Sequence, residues 1–323
     1  MRLATFNLES FGEDDFDAEA LQPRLDALRP TLLALKADVL CLQEVNAQRL
    51  ERKGTRVFAA LDALVAGTPY EDFFRATSLR PDGTAPADKH NLAVLSRFPV
   101  VSSRTIREDH VEPPLWRPRS ADPLPAGPEP VGFDRPLLHA ALDVGLPRPL
   151  HVFCVHLRAP IAAPVAGGKL SAVSWGSTAA WAEGYFLASM KRVGQALELR
   201  LAIDALFDAD PEALIAAAGD FNAVGLESPL RLVMADPDDT GNPALGHRRL
   251  RQLDAAVPEE RRQTVVHRGR GHALDHILVS RELLFRARDI RVLNEGLADE
   301  VRDAGTPAEA GSFHAPVVAT FEL

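Results

Sequence analysis

The sequence predicts a mixed α/β fold of the α+β kind, a single domain over residues 1–323 in which strands outnumber helices. Three observations predict it. Short apolar runs recur along the whole chain, each closed by polar or turn-forming residues. Longer stretches between some of them carry apolar residues at helical spacing. No internal repeat, low-complexity linker or break in composition divides the 323 residues, and 46% of them are apolar, enough for a sizeable core.

The elements follow in order. Residues 2–7, "RLATFN", read as a first strand. Leu21, Leu25, Leu28, Leu32 and Leu35 mark a helical stripe over 18–36, interrupted by Pro23 and Pro30. "ADVLCLQEV", 37–45, is a buried strand with Gln43 and Glu44 at its end, and a helical stretch follows it. "NLAVLSRFPV", 91–100, is a strand. Dense prolines across 107–136 exclude a helix or central strand and leave an ordered surface loop or lid. "LLHAALDV" and "LHVFCVHL", 137–144 and 150–157, pair as a hairpin. Residues 158–177 form a second long insertion. The strongest helix runs from Thr178 to Phe207, with Phe186, Met190, Val193, Leu197 and Leu201 on one face. A strand leads into "GDFN", residues 226–262 are polar and irregular, and "ALDHILVS", 273–280, and "APVVATFEL", 315–323, are the last strands.

Composition narrows the function. The chain has 36 basic and 45 acidic residues, a net charge of −9. A tight, passive nucleic-acid binder usually carries a basic surplus, so this balance argues mildly against one. An enzyme is not excluded, because a metal ion supplies positive charge locally. No stretch approaches the ~18 apolar residues of a membrane helix. Asn7 and Glu9 come too early for a signal peptide. Cys41 and Cys154 lie in apolar runs and read as buried free thiols, which fits a cytoplasmic protein. No Gly-rich phosphate loop follows a strand, so a redox or nucleotide-cofactor protein has no support.

The runs share one grammar: polar residues sit where an apolar strand stops. Asn7, Glu44, His156, Asp220 with Asn222, and Asp275 with His276 all hold such positions, and Ser312-Phe313-His314 stands just before the last strand. Strand ends converge at one edge of a sheet, where function concentrates. Acids, amides and histidines at one edge suit a hard cation held through oxygen, and Mg²⁺ keeps waters free for a substrate phosphate. A histidine beside a buried carboxylate is oriented and kept basic. Singly, Asn7 is explained by bonds to strand-edge backbone, Glu44 as a solvated strand end and His156 as a satisfied core histidine. His276 alternates with Asp275 and should point to the other face. His139 and His151 read as structural. Asn91 and Arg97 are as well explained by a strand exit, and Arg192 and Gln195 by a solvated helix face.

Seven stretches, "TFNLES", "CLQEV", "LAVLSRFPV", "VFCVHLRA", "AAGDFNAV", "ALDHILVS" and "SFHAPVVATF", span nearly the whole chain in one order. With them the sequence resembles the endonuclease/exonuclease/phosphatase superfamily, the deoxyribonuclease-I-like fold. "WAEG", "KRVGQALELR" and "GDFNAV" point to a bacterial branch of it. The resemblance implies a four-layer α/β/β/α sandwich, two packed mixed sheets flanked by helices, and hydrolysis of a phosphate ester that depends on Mg²⁺ or Mn²⁺. It makes Glu44 the principal metal ligand with Asn7 beside it. Asp220 would position or deprotonate the attacking water, Asn222 hold a phosphate oxygen, Asp275 orient His314, and His156 contact the phosphate or help the leaving group. The substrate expected is a phosphodiester, nucleic acid among the candidates. No membrane partner is expected, and the chain is expected to act as a monomer.

One position departs from the family pattern, which ends Ser-Asp-His. Here Phe313 stands where the acid is expected. Either the site binds one metal weakly through Glu44 and Asn7, or a neighbour such as Asp299, Glu300, Asp303 or Glu309 substitutes, or catalysis is impaired. The alternatives to a phosphodiesterase or nuclease are therefore a small-molecule phosphatase of the same fold and a binding protein that has lost its metal site. Arg117, Arg119, Arg158, Lys169 and the run "HRRLR", 247–251, are candidate substrate contacts.

Overall fold

The computed structural model describes residues 1–51, 54–306 and 310–323. Its strands are β1 (Arg2–Phe11), β2 (Val39–Val45), β3 (Phe74–Thr77), β4 (Asn91–Ser96), β5 (Val100–Ile106), β6 (Leu115–Trp116), β7 (Glu129–Pro130), β8 (Leu137–Leu142), β9 (Leu150–His156), β10 (Leu214–Asp220), β11 (Arg251–Gln252), β12 (Val265–His267), β13 (Arg270–His272), β14 (Asp275–Val279), β15 (Ala287–Val292) and β16 (Val317–Phe321). The longer helices are α1 (Ala18–Leu35), α2 (Ala59–Val65), α3 (Thr178–Ala209) and α4 (Ser228–Met234).

Alternation along the strands decides the layers. Among the described residues the main strands form two six-stranded sheets, β15-β16-β1-β2-β4-β3 and β11-β14-β10-β9-β8-β5. Each is mixed: β1 runs parallel to β2 and β9 parallel to β10, while the other neighbours are antiparallel. Leu3, Cys41 and Val94 of the first sheet face Val152, Ala216 and Ile277 of the second in one shared core. On the outer face of the first sheet α1 and α2 close a second core around Phe6, Leu40 and Leu95. On the outer face of the second, α3 and α4 cover Phe153, Ile215 and Leu278. The result is an α/β/β/α sandwich. Among the described residues no helix is long and apolar enough to cross a membrane.

Three helices differ from the sequence reading. α4 forms in the stretch 226–262 read as polar and irregular, where Leu230 and Val233 are buried on the second sheet. α1 is not interrupted by its prolines. It runs through Pro23 and Pro30, with Leu21, Leu25, Leu28, Leu32 and Leu35 all buried. An interior proline costs roughly 3 kcal/mol, and burying a leucine contributes about 1.5–3 kcal/mol, so the stripe outweighs the breaks. α3 buries a different face from the one expected. Phe186, Leu197 and Leu201 are 44%, 36% and 37% exposed, whereas Ala196, Leu199, Ile203 and Phe207 pack on the sheet. Apolar residues occur all round this helix, so periodicity alone cannot orient it. What orients it is polar. Glu198 accepts the backbone N–H groups of Asp109, His110 and Val111, and Glu183 accepts Trp116 Nε1 and the N–H groups of Arg119 and Ser120. Both carboxylates tie the proline-rich insertion to α3. Inside that insertion β6 and β7 pair as a short ribbon.

Candidate active site

Register brings the strand-end residues together. Asp220 of β10 lies opposite His156 of parallel β9 and opposite Asp275 of antiparallel β14. All three share parity with inward residues such as Ala218, Cys154 and Ile277, so they cap the core between the sheets. Gly219 makes this row possible. Its φ is +155°, and a Cβ there would sit 1.9 Å from the Val155 carbonyl oxygen. From the facing sheet, Asn7 ends the inward row of β1. Glu44 has the same parity as the outward residues of β2, but it adopts φ 57° at a register shift and turns back toward the site. A bulge of this kind re-aims one side chain at a modest strain cost.

The hydrogen bonds are dense and uneven. Asn7 Nδ2 donates to Asp220 Oδ2 at 3.2 Å, linking the two sheets. Asp220 Oδ1 accepts the Asn222 N–H at 2.8 Å. Asn222 Nδ2 donates to Asp220 Oδ2 at 3.1 Å and to the Leu157 carbonyl at 3.0 Å. His314 Nδ1 pairs with Asp275 Oδ2 at 2.8 Å. His156 Nε2 lies 3.5 Å from Glu44 Oε1 and 3.4 Å from Asp220 Oδ2. Glu44 Oε2 accepts the Ser10 N–H at 2.9 Å and has His90 Nδ1 at 3.5 Å.

Burial and neighbours set the charges. Burial, reinforced by Asp275, pushes the Asp220 carboxyl up to about 7. Burial would lower the His314 imidazole, but the charge and hydrogen bond of Asp275, with Asp220 behind, push it up to about 10. Burial, with Arg135 alongside, holds His156 well below the usual histidine range. Burial opposes ionisation of Glu44, yet the His90 contact and the charges of His156, His90 and Arg135 hold it below the usual carboxylate range.

Several contributors were not legible as site residues. The Arg135 guanidinium contacts His156 Nε2 and donates to the Leu157 carbonyl at 2.9 Å. It comes from "FDRP", the end of the proline-rich stretch, where nothing in the spacing marks it. Gln195 is buried, not solvated: its Oε1 accepts the Arg158 N–H and its Nε2 donates to the Arg135 carbonyl, both at 2.8 Å. Arg192 is buried too, with Nη1 on the Asn222 carbonyl. The helical pattern hid both, because each polar head finds a backbone group behind the site. Asn91 serves indirectly, donating to the Val45 carbonyl next to Glu44 at 2.9 Å. Arg97 pairs with Asp38, which precedes β2 at the far end of the strand from Glu44.

The acids near Phe313 also sort themselves. Asp299 accepts backbone N–H groups of Arg268, Gly269, Val301 and Arg302; Glu300 pairs with His267; Asp303 accepts the Asp299 N–H. These three are occupied elsewhere, and Glu309 lies outside the described residues. Glu9 is the acid at hand: its Oε2 accepts the Phe313 N–H at 2.8 Å, and burial raises its carboxyl.

The donor set fits a hard cation. Glu44 Oε1 is not used by any hydrogen bond among the described residues, and Asp275 Oδ1 is a buried oxygen without a partner. Asp220, Asp275 and His314 place ligand atoms within 4.8 Å of one another. Because His314 is protonated and spends Nδ1 on Asp275, the Glu44–Asn7 side is the better oxygen donor set.

A family model described as the Endonuclease/Exonuclease/phosphatase family matches residues 4–298. Comparison with curated proteins finds no match. Among solved structures, a humanized D. rerio TDP2 aligns with a TM-score of 0.57 and 14% identity, over 100% of this chain and 99% of that one. A 3′ phosphatase NExo from Neisseria, bound to a product DNA hairpin, aligns at 0.51 and 18%, over 100% of both chains. An AP endonuclease from Archaeoglobus fulgidus aligns at 0.50 and 19%, again over 100% of both. At such identities the likeness is one of fold.

Proposed function

From a chain that belongs to the endonuclease/exonuclease/phosphatase family, we propose a metal-dependent phosphoesterase that cleaves phosphodiesters, nucleic acid among them. The observation that carries this reading is the meeting, in one buried row, of Asp220, Asp275 with His314, and His156, across from Asn7 and Glu44.

Glu44 Oε1 and Asn7 Oδ1 would hold Mg²⁺ or Mn²⁺. When bound, that ion neutralises charge spreading over the phosphate. The chain's own groups do the rest. Arg135 and the protonated His314 present N–H donors where the phosphate oxygens gather charge. Asp275 fixes the His314 ring through Nδ1 and leaves Nε2 to face substrate. Asp220, with a carboxyl near 7, orients the attacking water and accepts its proton. His156, neutral in this setting, accepts an N–H of the Arg135 guanidinium through Nε2, so its role shifts from contacting the phosphate to holding Arg135 beside it. Asn222 has both amide hydrogens committed to Asp220 and Leu157, so its role shifts from holding a phosphate oxygen to fixing Asp220.

The test is turnover of bis-p-nitrophenyl phosphate and of a plasmid with Mg²⁺ or Mn²⁺, against chelator controls. Hydrolysis that disappears with chelator is expected. No hydrolysis with either metal in the folded protein would overturn the reading and favour a binding protein disabled at Phe313.

A further inference from the structure

At the other end of the same strands lies a cavity of about 590 Å³. Arg2, at the start of β1, opens it, and Asn7 of the site is five residues further along the strand. At ~3.3 Å per residue that separates the two by roughly 17 Å. Four cations line the cavity: Arg2, Lys36, Arg261 and Arg291, against one acid, Glu295. The wall between them is apolar, with Val257, Ile290 and Leu293.

The cations are poorly compensated. Arg2 Nε is buried and has no hydrogen-bond partner. Among the described residues neither the Arg2 guanidinium nor the Lys36 ammonium makes an ion pair. Asp38, two residues after Lys36, is occupied: it accepts the Arg2 backbone N–H at 2.8 Å and pairs with Arg97 at 3.2 Å. Arg261 and Arg291 have only exposed partners, Glu295 at 3.3 Å and Asp289 at 2.7 Å. Such surface pairs are weak and yield readily to a stronger anion. In a chain of net charge −9 this is a local surplus of the opposite sign.

We propose that this cavity is a second ligand site, which takes a di- or triphosphate ester whose body lies on the apolar wall. A guanidinium matches a phosphate with two parallel N–H bonds, and an ammonium adds a point charge. Several phosphate oxygens are needed to engage both Arg2 and Lys36, and a cavity of this size leaves room for a nucleoside-sized body. Recognition would come from side-chain cations, not from a Gly-rich loop. The site stands independently of the hydrolysis proposed above.

Calorimetric titration of the full chain with ATP, pyrophosphate and adenosine, all in chelator, tests it. ATP and pyrophosphate are expected to bind and adenosine alone is not. Lys36→Glu, a change at an exposed position, and Arg2→Gln should each weaken ATP binding about ten-fold or more. Asp220→Asn should leave it unchanged. Three results would each overturn the proposal: affinity unchanged in the folded Lys36→Glu protein, binding lost with Asp220→Asn instead, or no binding of either phosphate compound. Adenosine binding as tightly as ATP would also overturn it, since the cations would then contribute nothing.

Discussion

Asp275 and His276 are neighbours on β14 and belong to different regions of the molecule. Asp275 points between the sheets and pairs with His314 at 2.8 Å. His276 points outward and pairs with Asp254, also at 2.8 Å. The outward pair is saturated. His276 Nε2 is bonded to the Ala223 carbonyl at 2.9 Å, and Asp254 also accepts Gln252 Nε2 and the Ile277 N–H. The inward pair is not. Asp275 Oδ1 is buried without a partner, and His314 Nε2 has none among the described residues. Identical chemistry at identical distance thus serves two ends. A buried ion pair with every lone pair engaged holds a fold together, because any loss leaves an uncompensated charge. One with an orphaned oxygen has capacity left for a ligand.

The largest effect that could break this contrast is on turnover. Asp220→Asn should lower hydrolysis by roughly three orders of magnitude, within the range for a removed general base. Its stability should move the other way. Asp220 has its carboxyl raised to about 7, so its contribution is full at low pH and is lost as pH rises through that value. In chelator above pH 7 the variant should therefore unfold at equal or higher urea than the parent. Turnover within ten-fold of the parent would remove Asp220 from the mechanism.

The matching change on the outward side should cost stability instead. Asp254→Asn strands His276 and should lower unfolding free energy by about 3–5 kcal/mol, with turnover per folded molecule falling far less than for Asp220→Asn. Urea melts followed by circular dichroism read it. The pH dependence sharpens the point. His276 is raised against its ordinary value: burial opposes this, but the charge and hydrogen bond of Asp254 win. Asp254 is lowered by His276 against its own burial. The raised histidine stabilises below its unfolded value of ~6.5 and loses that contribution as pH climbs through its folded value. The lowered aspartate stabilises above ~3.9 and loses it as pH falls. The gap between parent and Asp254→Asn should be widest between those limits and narrow on either side. A gap that grows steadily with pH would refute the pairing.

The same contrast explains what the sequence could reveal. A polar residue that stops an apolar run is visible in sequence, and His156 and Asp220 do end β9 and β10; but β1 runs on past Asn7 to Phe11, Asp275 opens β14 instead of closing it, and Glu44 reaches the site only through its turned backbone. Alternation places His276 on the other face, where it meets Asp254 and the Ala223 carbonyl. Edge strands such as β5 and β15 carry no such signal. β5 carries an almost fully exposed "VSSRT" and β15 an exposed "RDIR", since both are sheet edges with little to bury. Arg135 and Gln195 were unreadable for a different reason. Their value lies in bonds to the backbone of distant segments, and no spacing rule encodes a partner 60 residues away, as Gln195 Nε2 has in Arg135.

A change at Phe313 should act more mildly, on metal affinity. Its N–H is held by Glu9, and the preceding Ser312 Oγ donates to the Asn7 carbonyl at 2.7 Å, so position 313 lies beside the oxygen donors of the site. Phe313→Asp adds a charged oxygen there. If Asn7 and Glu44 alone supply the ligands, Mn²⁺ affinity in calorimetric titration should rise about ten-fold, roughly 1.4 kcal/mol. The change also removes a buried ring, so the unfolding midpoint should fall, and affinity is best read at low temperature. Glu9 makes the outcome informative either way. A carboxylate already present at this edge repels a second one, so a stand-in role for Glu9 predicts no gain in the parent background. The gain would then appear only when Glu9→Gln is combined with Phe313→Asp. No gain in either background would mean that position 313 lies outside the reach of the cation, and that the unsatisfied oxygen of Asp275 serves some other donor.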